Sequence, residues 1–221
     1  MDKGTLSILV AALMVTSGLF GLFLVGDSAG EEAEEIMGMP PEDTTNRIEM
    51  PKSTSDHFTR NMGQWDSGLE YIGKADMGYV GFTRDGVYFD VIKEVEDDEN
   101  GIPHFTGHVI HLTFDGSNYV RPMGEEEIAA QYNYLIGEES NWHTHVPNYN
   151  MVSYDNVWDG IDVDYRYDDS GLKYDIILSP GADPDNILLT MKGQNDLKIL
   201  GDSLVVDVDG EITLVDSQLD V

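Results

Sequence analysis

The chain predicts an all-β fold, an antiparallel β-sandwich or open barrel with one short helix, set behind an N-terminal transmembrane or signal helix. Three observations lead there. From about Asp56 onward, short runs of β-branched and aromatic residues alternate with turn signals at spacings of roughly 8–15 residues. Asp-Gly pairs punctuate these runs at Asp85-Gly86, Asp115-Gly116 and Asp209-Gly210, and such a pair between two apolar runs signals a hairpin because glycine takes positive φ without strain. Ahead of the runs, Leu6 to Val25 form 20 consecutive uncharged, mostly apolar residues.

As a helix, that first run spans about 30 Å, the thickness of a bilayer's hydrocarbon core. It is longer than the apolar stretch of a typical signal peptide, and Gly26-Asp27-Ser28-Ala29 is a poor cleavage site, so a retained anchor is favoured over a cleaved signal. Lys3 precedes the run and Glu31, Glu32, Glu34 and Glu35 follow it, which places the N-terminus in the cytoplasm and the remainder outside. Either reading exports the chain. The expected division is a leader at 1–26, an acidic disordered linker at 27–55, rich in Glu and Pro with little to bury, and a β-domain at 56–221.

Within the domain, Tyr79 to Phe82 and Val87 to Ile92 read as hairpin strands around Asp85-Gly86. His108, Ile110, Leu112 and Phe114 alternate with Val109, His111 and Thr113, so the first set shares one face. Gly124 to Leu135, with three glutamates at its start, is the one helix expected. Further strands are expected at Val146 to Tyr154, Ile161 to Tyr167, Leu172 to Leu178, Ile187 to Met191, Leu197 to Leu200, Leu204 to Val208 and Glu211 to Val215. Ile161, Val163 and Tyr165 fall on one strand face, and Trp142 and Tyr174 read as core aromatics.

Residues 31–221 hold 40 acids and 11 bases, a net charge of −29. Phosphate backbones and anionic lipid headgroups are repelled by such a surface, which argues against nucleic-acid binding. Salt adaptation, colloidal solubility and calcium sites each account for acids spread so evenly. The chain has no cysteine, so neither disulfides nor thiol catalysis are available to it. With 11 tyrosines, 7 phenylalanines and 3 tryptophans, one apolar core is within its means.

Several segments, in order, carry a family resemblance: Asn61-Met62-Gly63-Gln64-Trp65, Asn133-Tyr134-Leu135-Ile136-Gly137 with Trp142 and Val146-Pro147-Asn148-Tyr149, Gly160-Ile161-Asp162-Val163-Asp164-Tyr165, and Leu172-Lys173-Tyr174-Asp175-Ile176-Ile177-Leu178-Ser179-Pro180-Gly181-Ala182-Asp183-Pro184. From about residue 58 to 221 the chain resembles the N-terminal domain that precedes SBBP (seven-bladed β-propeller) repeats in bacterial and archaeal surface proteins. The resemblance implies export, a β-rich fold and a structural or adhesive setting, and it brings no catalytic residues. The repeats themselves are absent, and the chain stops soon after Val215, where such proteins usually continue.

Chemistry-bearing patterns are sparse. His143-Thr144-His145 would put two imidazoles on one strand face, able to ligate zinc, with Asp155, Asp162 or one of His104, His108 and His111 as a third ligand. Asp162 and Asp164, with Asp168-Asp169, could hold calcium at a strand end. Glu96, Asp98, Asn100 and Gly101 imitate the start of an EF-hand loop, but position 12 is Gly107 and no helices flank it. Trp158, Tyr149 and Tyr165 are candidates for an aromatic platform facing a glycan. No nucleophile elbow, His-Glu-x-x-His or phosphate loop occurs. The expectation is a non-enzymatic extracytoplasmic interaction or structural module, with membrane contact through residues 6–25 and a surface protein or glycan as partner. Two alternatives stand beside it: a metal-dependent hydrolase or metal-binding protein centred on His143 and His145, and a carbohydrate-binding module.

Overall fold

A computed structural model describes residues 6–10, 56–75, 78–95, 103–169, 171–201, 203–217 and 219–220. In chain order the strands are β1 (Leu6–Val10), β2 (Phe58–Arg60), β3 (Tyr71–Ala75), β4 (Gly78–Phe82), β5 (Gly86–Val95), β6 (His104–Phe114), β7 (Met123–Tyr134), β8 (His143–Trp158), β9 (Ile161–Asp168), β10 (Gly171–Leu178), β11 (Leu189–Lys192), β12 (Asp196–Leu200), β13 (Ser203–Asp207), β14 (Thr213–Ser217) and β15 (Leu219–Asp220). One sheet runs β11-β6-β5-β4-β3-β2-β8-β9-β10-β1-β15, with β7 added on β8, and a smaller one runs β12-β13-β14. All of these pairings are antiparallel.

The large sheet curls into a half-barrel. Its concave face carries the alternate residues of each strand. Val80 and Phe82 come from β4, Val87, Phe89 and Val91 from β5, Ile110, Leu112 and Phe114 from β6, and Ile161, Val163 and Tyr165 from β9, all buried. Rings from distant strands meet across the curl: Phe58 stacks on Tyr167 at 4.8 Å, Phe82 meets Tyr165 at 5.1 Å, and Phe114 meets Tyr154 at 5.1 Å. The alternation read from β6 holds, with Ile110, Leu112 and Phe114 inside and Val109 exposed. Of these Asp-Gly signals, 85–86 and 209–210 join paired neighbours, as does a fourth pair, Asp159-Gly160, between β8 and β9. Between β4 and β5 only Gly86 has positive φ, and Thr83 closes the turn by donating its hydroxyl to Asp85 at 2.6 Å.

The small sheet packs against the large one. Val206, Val208, Ile212 and Leu214 join the same core. Lys93 of β5 pairs with Glu211, His108 of β6 lies 3.3 Å from Asp209, and Tyr174 of β10 donates to Asp216 at 2.8 Å. It thus bridges strands from both arms of the half-barrel.

One sequence expectation is corrected. Residues 124–135 are not a helix: 124–134 belong to β7, which pairs along β8 from Met123↔Ser153 to Tyr134↔His143. Helix preference there is weak because no apolar stripe of helical period runs through Glu125-Glu126-Glu127-Ile128-Ala129-Ala130, and pairing with a 16-residue strand outweighs it. The helix expected over Leu6–Val25 is not shown: the backbone of Leu6–Val10 is extended along β10, and residues 11–25 lie outside the described residues, as do the linker after Gly26 and the loop Glu96–Gly101. Among the described residues no helix is long and apolar enough to cross a membrane.

Candidate binding surface

The proposed metal ligands do not come together. His143 is half-buried and His145 exposed, and His145 has φ of +57°, so the strand geometry that would align the two imidazoles is interrupted between them. The His145 N–H is taken by the Asn133 side chain at 2.9 Å. Asp162 accepts the Asn156 N–H at 2.6 Å, far along β8 from His143: the 13 positions from 143 to 156, at about 3.3 Å each, amount to roughly 40 Å of strand. Asp164, next to it on the outward face, has its carboxyl pushed up by burial and then by the Asp162 and Asp155 charges. Among the described residues no three His, Cys, Asp or Glu side chains form a group able to hold a metal ion.

The proposed aromatic platform is also overturned. Trp158, Tyr149 and Tyr165 are 3%, 9% and 0% exposed. All three lie in the core, with the Trp158 indole N–H donating to the Asp115 carbonyl at 2.9 Å.

A different set of aromatics is partly exposed where the β2–β3 loop meets the β7–β8 connection. The loop is organised by one side chain. Asn61 donates to the carbonyls of Asp66 at 2.7 Å and Leu69 at 2.8 Å, and its amide oxygen accepts the N–H of Gly63 at 2.9 Å and of Trp65 at 3.3 Å. Gln64 ties the same loop to Arg60 at 2.7 Å. At Gly63, φ is +113° and a Cβ would come 2.9 Å from the His143 ring, so glycine lets the loop sit against the start of β8. The result holds Trp65 edge-to-face on Tyr134, centroids 5.3 Å apart.

From the other side, β7 brings Tyr132 and Tyr134 alongside the start of β8, with register shifts between Ile128 and Gln131 and between Tyr132 and Tyr134. Tyr132 packs on His57 at 5.2 Å and on Tyr134 at 6.5 Å. Beneath them Thr59 donates to Asn148 at 2.6 Å, and Asn148 donates to the Ala130 carbonyl at 2.9 Å, both side chains buried. Burial pushes the Tyr134 hydroxyl up to about 12, partly offset by Thr59. The connection then exposes Leu135, Ile136 and Trp142, at 53%, 48% and 42%, with Met62 of the facing loop at 53%. Trp142, expected in the core, has its indole N–H fixed on the Gly137 carbonyl at 3.3 Å.

We refer to this surface as the ledge. It joins two of the segments that carry the family resemblance, 61–65 and 133–142. Of its aromatics only Trp142 carries an expectation from the sequence, as a core residue, and the available signal is the pairing of tryptophan with a loop rather than a strand.

A second feature is an open cleft of about 550 Å³ lined by Asp85, Thr113, Asp115, Tyr119 and Lys192 among others. Asp115 accepts the hydroxyls of Thr190 at 2.5 Å and Thr113 at 2.9 Å, which hold its carboxyl below the ordinary aspartate range. These bonds fasten β11 to β6.

The sequence profile of a domain of unknown function (DUF7948) matches residues 58–214. The chain belongs to this family. The match covers both sheets from β2 into β14 and contains the whole ledge. No curated protein and no solved structure matches the chain.

Proposed function

We propose that this chain is an exported β-module, held at the membrane by its leader or released after cleavage, that acts as a surface interaction domain rather than as an enzyme. The ledge carries this reading. Large apolar and aromatic side chains stand exposed there on a scaffold fixed by local hydrogen bonds, and a recognition surface ordered before binding loses little entropy on binding. Support for export comes from the apolar run Leu6–Val25, the acidic stretch after it and the resemblance to domains of surface proteins. Insertion requires Leu6–Val10 to leave β10, since the same residues cannot serve both places.

The absence of cysteine gives a direct test. Ser140→Cys, on the exposed connection beside Trp142, creates a single thiol. In intact cells expressing the full chain, a membrane-impermeant maleimide is expected to label it. Labelling only after lysis would refute export. Turnover of a glycan or peptide panel by the purified chain, lost on His143→Ala or Asp162→Asn, would refute the non-enzymatic reading.

A further inference from the structure

We propose that the ledge binds a neutral saccharide chain, an inference that rests on the interaction role above and names its ligand class. Three features select this ligand. Trp65 and Tyr134 meet at 74°, and Tyr134 and Tyr132 at 75°, and all three residues are partly exposed, so neighbouring rings lie in steeply tilted planes. An aromatic face is electron-rich, and the C–H face of a sugar ring is its weakly positive complement. A succession of tilted rings suits a ligand that twists from one ring to the next.

The second feature is the polar content. Glu138, Glu139, Ser140 and Asn141 are exposed between Ile136 and Trp142, and carboxylates, amides and hydroxyls are the partners that sugar hydroxyls need. A bilayer would be a poor occupant, because inserting Leu135, Ile136 and Trp142 would drag Glu138 and Glu139 out of water. The third feature is charge. The chain carries −30 overall, and that field repels uronates, sulfated glycans and other polyanions while leaving neutral sugars unaffected.

The probes are cellohexaose, mannohexaose and chitohexaose as neutral chains and hexagalacturonate as the anionic one. The protein is the full chain in a polyoxyethylene-ether detergent, since sugar-based detergents would compete. Binding is read by tryptophan fluorescence and titration calorimetry. At least one neutral hexaose is expected to bind and hexagalacturonate to fail. Trp142→Ala is expected to weaken binding by about tenfold or more, and Trp65→Phe, which keeps a ring against Tyr134, by less. Because Trp142 is exposed, its variant should unfold at the parent's midpoint.

No binding of any neutral hexaose at millimolar concentration would overturn the proposal, as would binding unaffected by both variants or hexagalacturonate bound equally well. Phosphatidylcholine vesicles and a lysine-rich amphipathic peptide are run alongside. Trp142-dependent binding of either, with no sugar bound, overturns the saccharide assignment and leaves the interaction role standing. Cleavage of a hexaose would instead overturn that role.

Discussion

The interior of the half-barrel and the ledge are built from the same residue types, yet one is a core and the other a surface. Inside, Trp158 is 3% exposed, Tyr154 donates its buried hydroxyl to the Thr83 carbonyl at 2.8 Å, and Phe114 packs edge-on against both rings. Outside, Trp142 is 42% exposed and Trp65 and Tyr134 are half-buried. In each region a backbone carbonyl satisfies an indole N–H, so hydrogen bonding does not separate them. Strand register does: Trp158 ends β8 facing the concave side, whereas Trp142 precedes β8, at the end of a short 3-10 turn that has no buried residue.

Opposite responses to truncation follow, and this is the largest effect expected. Trp158→Ala should cost about 3–5 kcal/mol of stability through lost burial and the cavity left behind. Trp142→Ala should stay within about 0.5 kcal/mol. Denaturant midpoints of the two variants measure the contrast, and equal losses would place both tryptophans in one core.

A smaller effect tests the floor of the ledge. Asn148→Ala leaves the Thr59 hydroxyl and the Ala130 carbonyl without their partner beneath Tyr132 and Tyr134, and should cost about 1–3 kcal/mol. The double variant Thr59→Val with Asn148→Leu removes both polar groups and should lose less than the single variant. A double variant that is the worse of the two would mean the pair contributes more than mutual satisfaction.

The core was legible in the sequence and the ledge was not, for a physical reason. Period-two alternation names the inward residues of β5, β6 and β9, because one face of each strand must be buried. Val87, Ile110 and Val163 could be assigned from spacing alone. Curling, however, is set by which strands meet across the sheet, and nothing local in Trp158-Asp159-Gly160 says that its ring meets Phe114. β7 does not read as a strand because its pattern is interrupted, by a positive φ at Glu126 and by register shifts after Ile128 and after Tyr132. The Asn61 loop was legible only as a motif: its effect on Trp65 depends on hydrogen bonds to Asp66 and Leu69 that spacing does not reveal.

The smallest expected effects are pH slopes of opposite sign, one under the small sheet and one at the barrel rim. Asp216 is half-buried on β14, beside the hydroxyls of Tyr174 and Tyr165. Desolvation pushes its carboxyl up, partly offset by the Tyr174 hydrogen bond. A raised folded-state value means that the native state holds this proton more tightly than the unfolded chain. Stability contributed by Asp216 is therefore greatest in acid and declines as pH rises from the ordinary aspartate range through the raised value. Asp115 works the other way. The Thr190 and Thr113 hydroxyls hold it low, so its contribution is complete above the ordinary range and is lost as pH falls through the depressed value. Asp216→Asn, which keeps an acceptor for Tyr174, should match the parent in acid and exceed it at neutral pH. Asp115→Asn should flatten only the acid limb. Unfolding midpoints across pH separate the two, and an Asp216→Asn curve parallel to the parent's would show that this carboxyl is solvated in the folded chain.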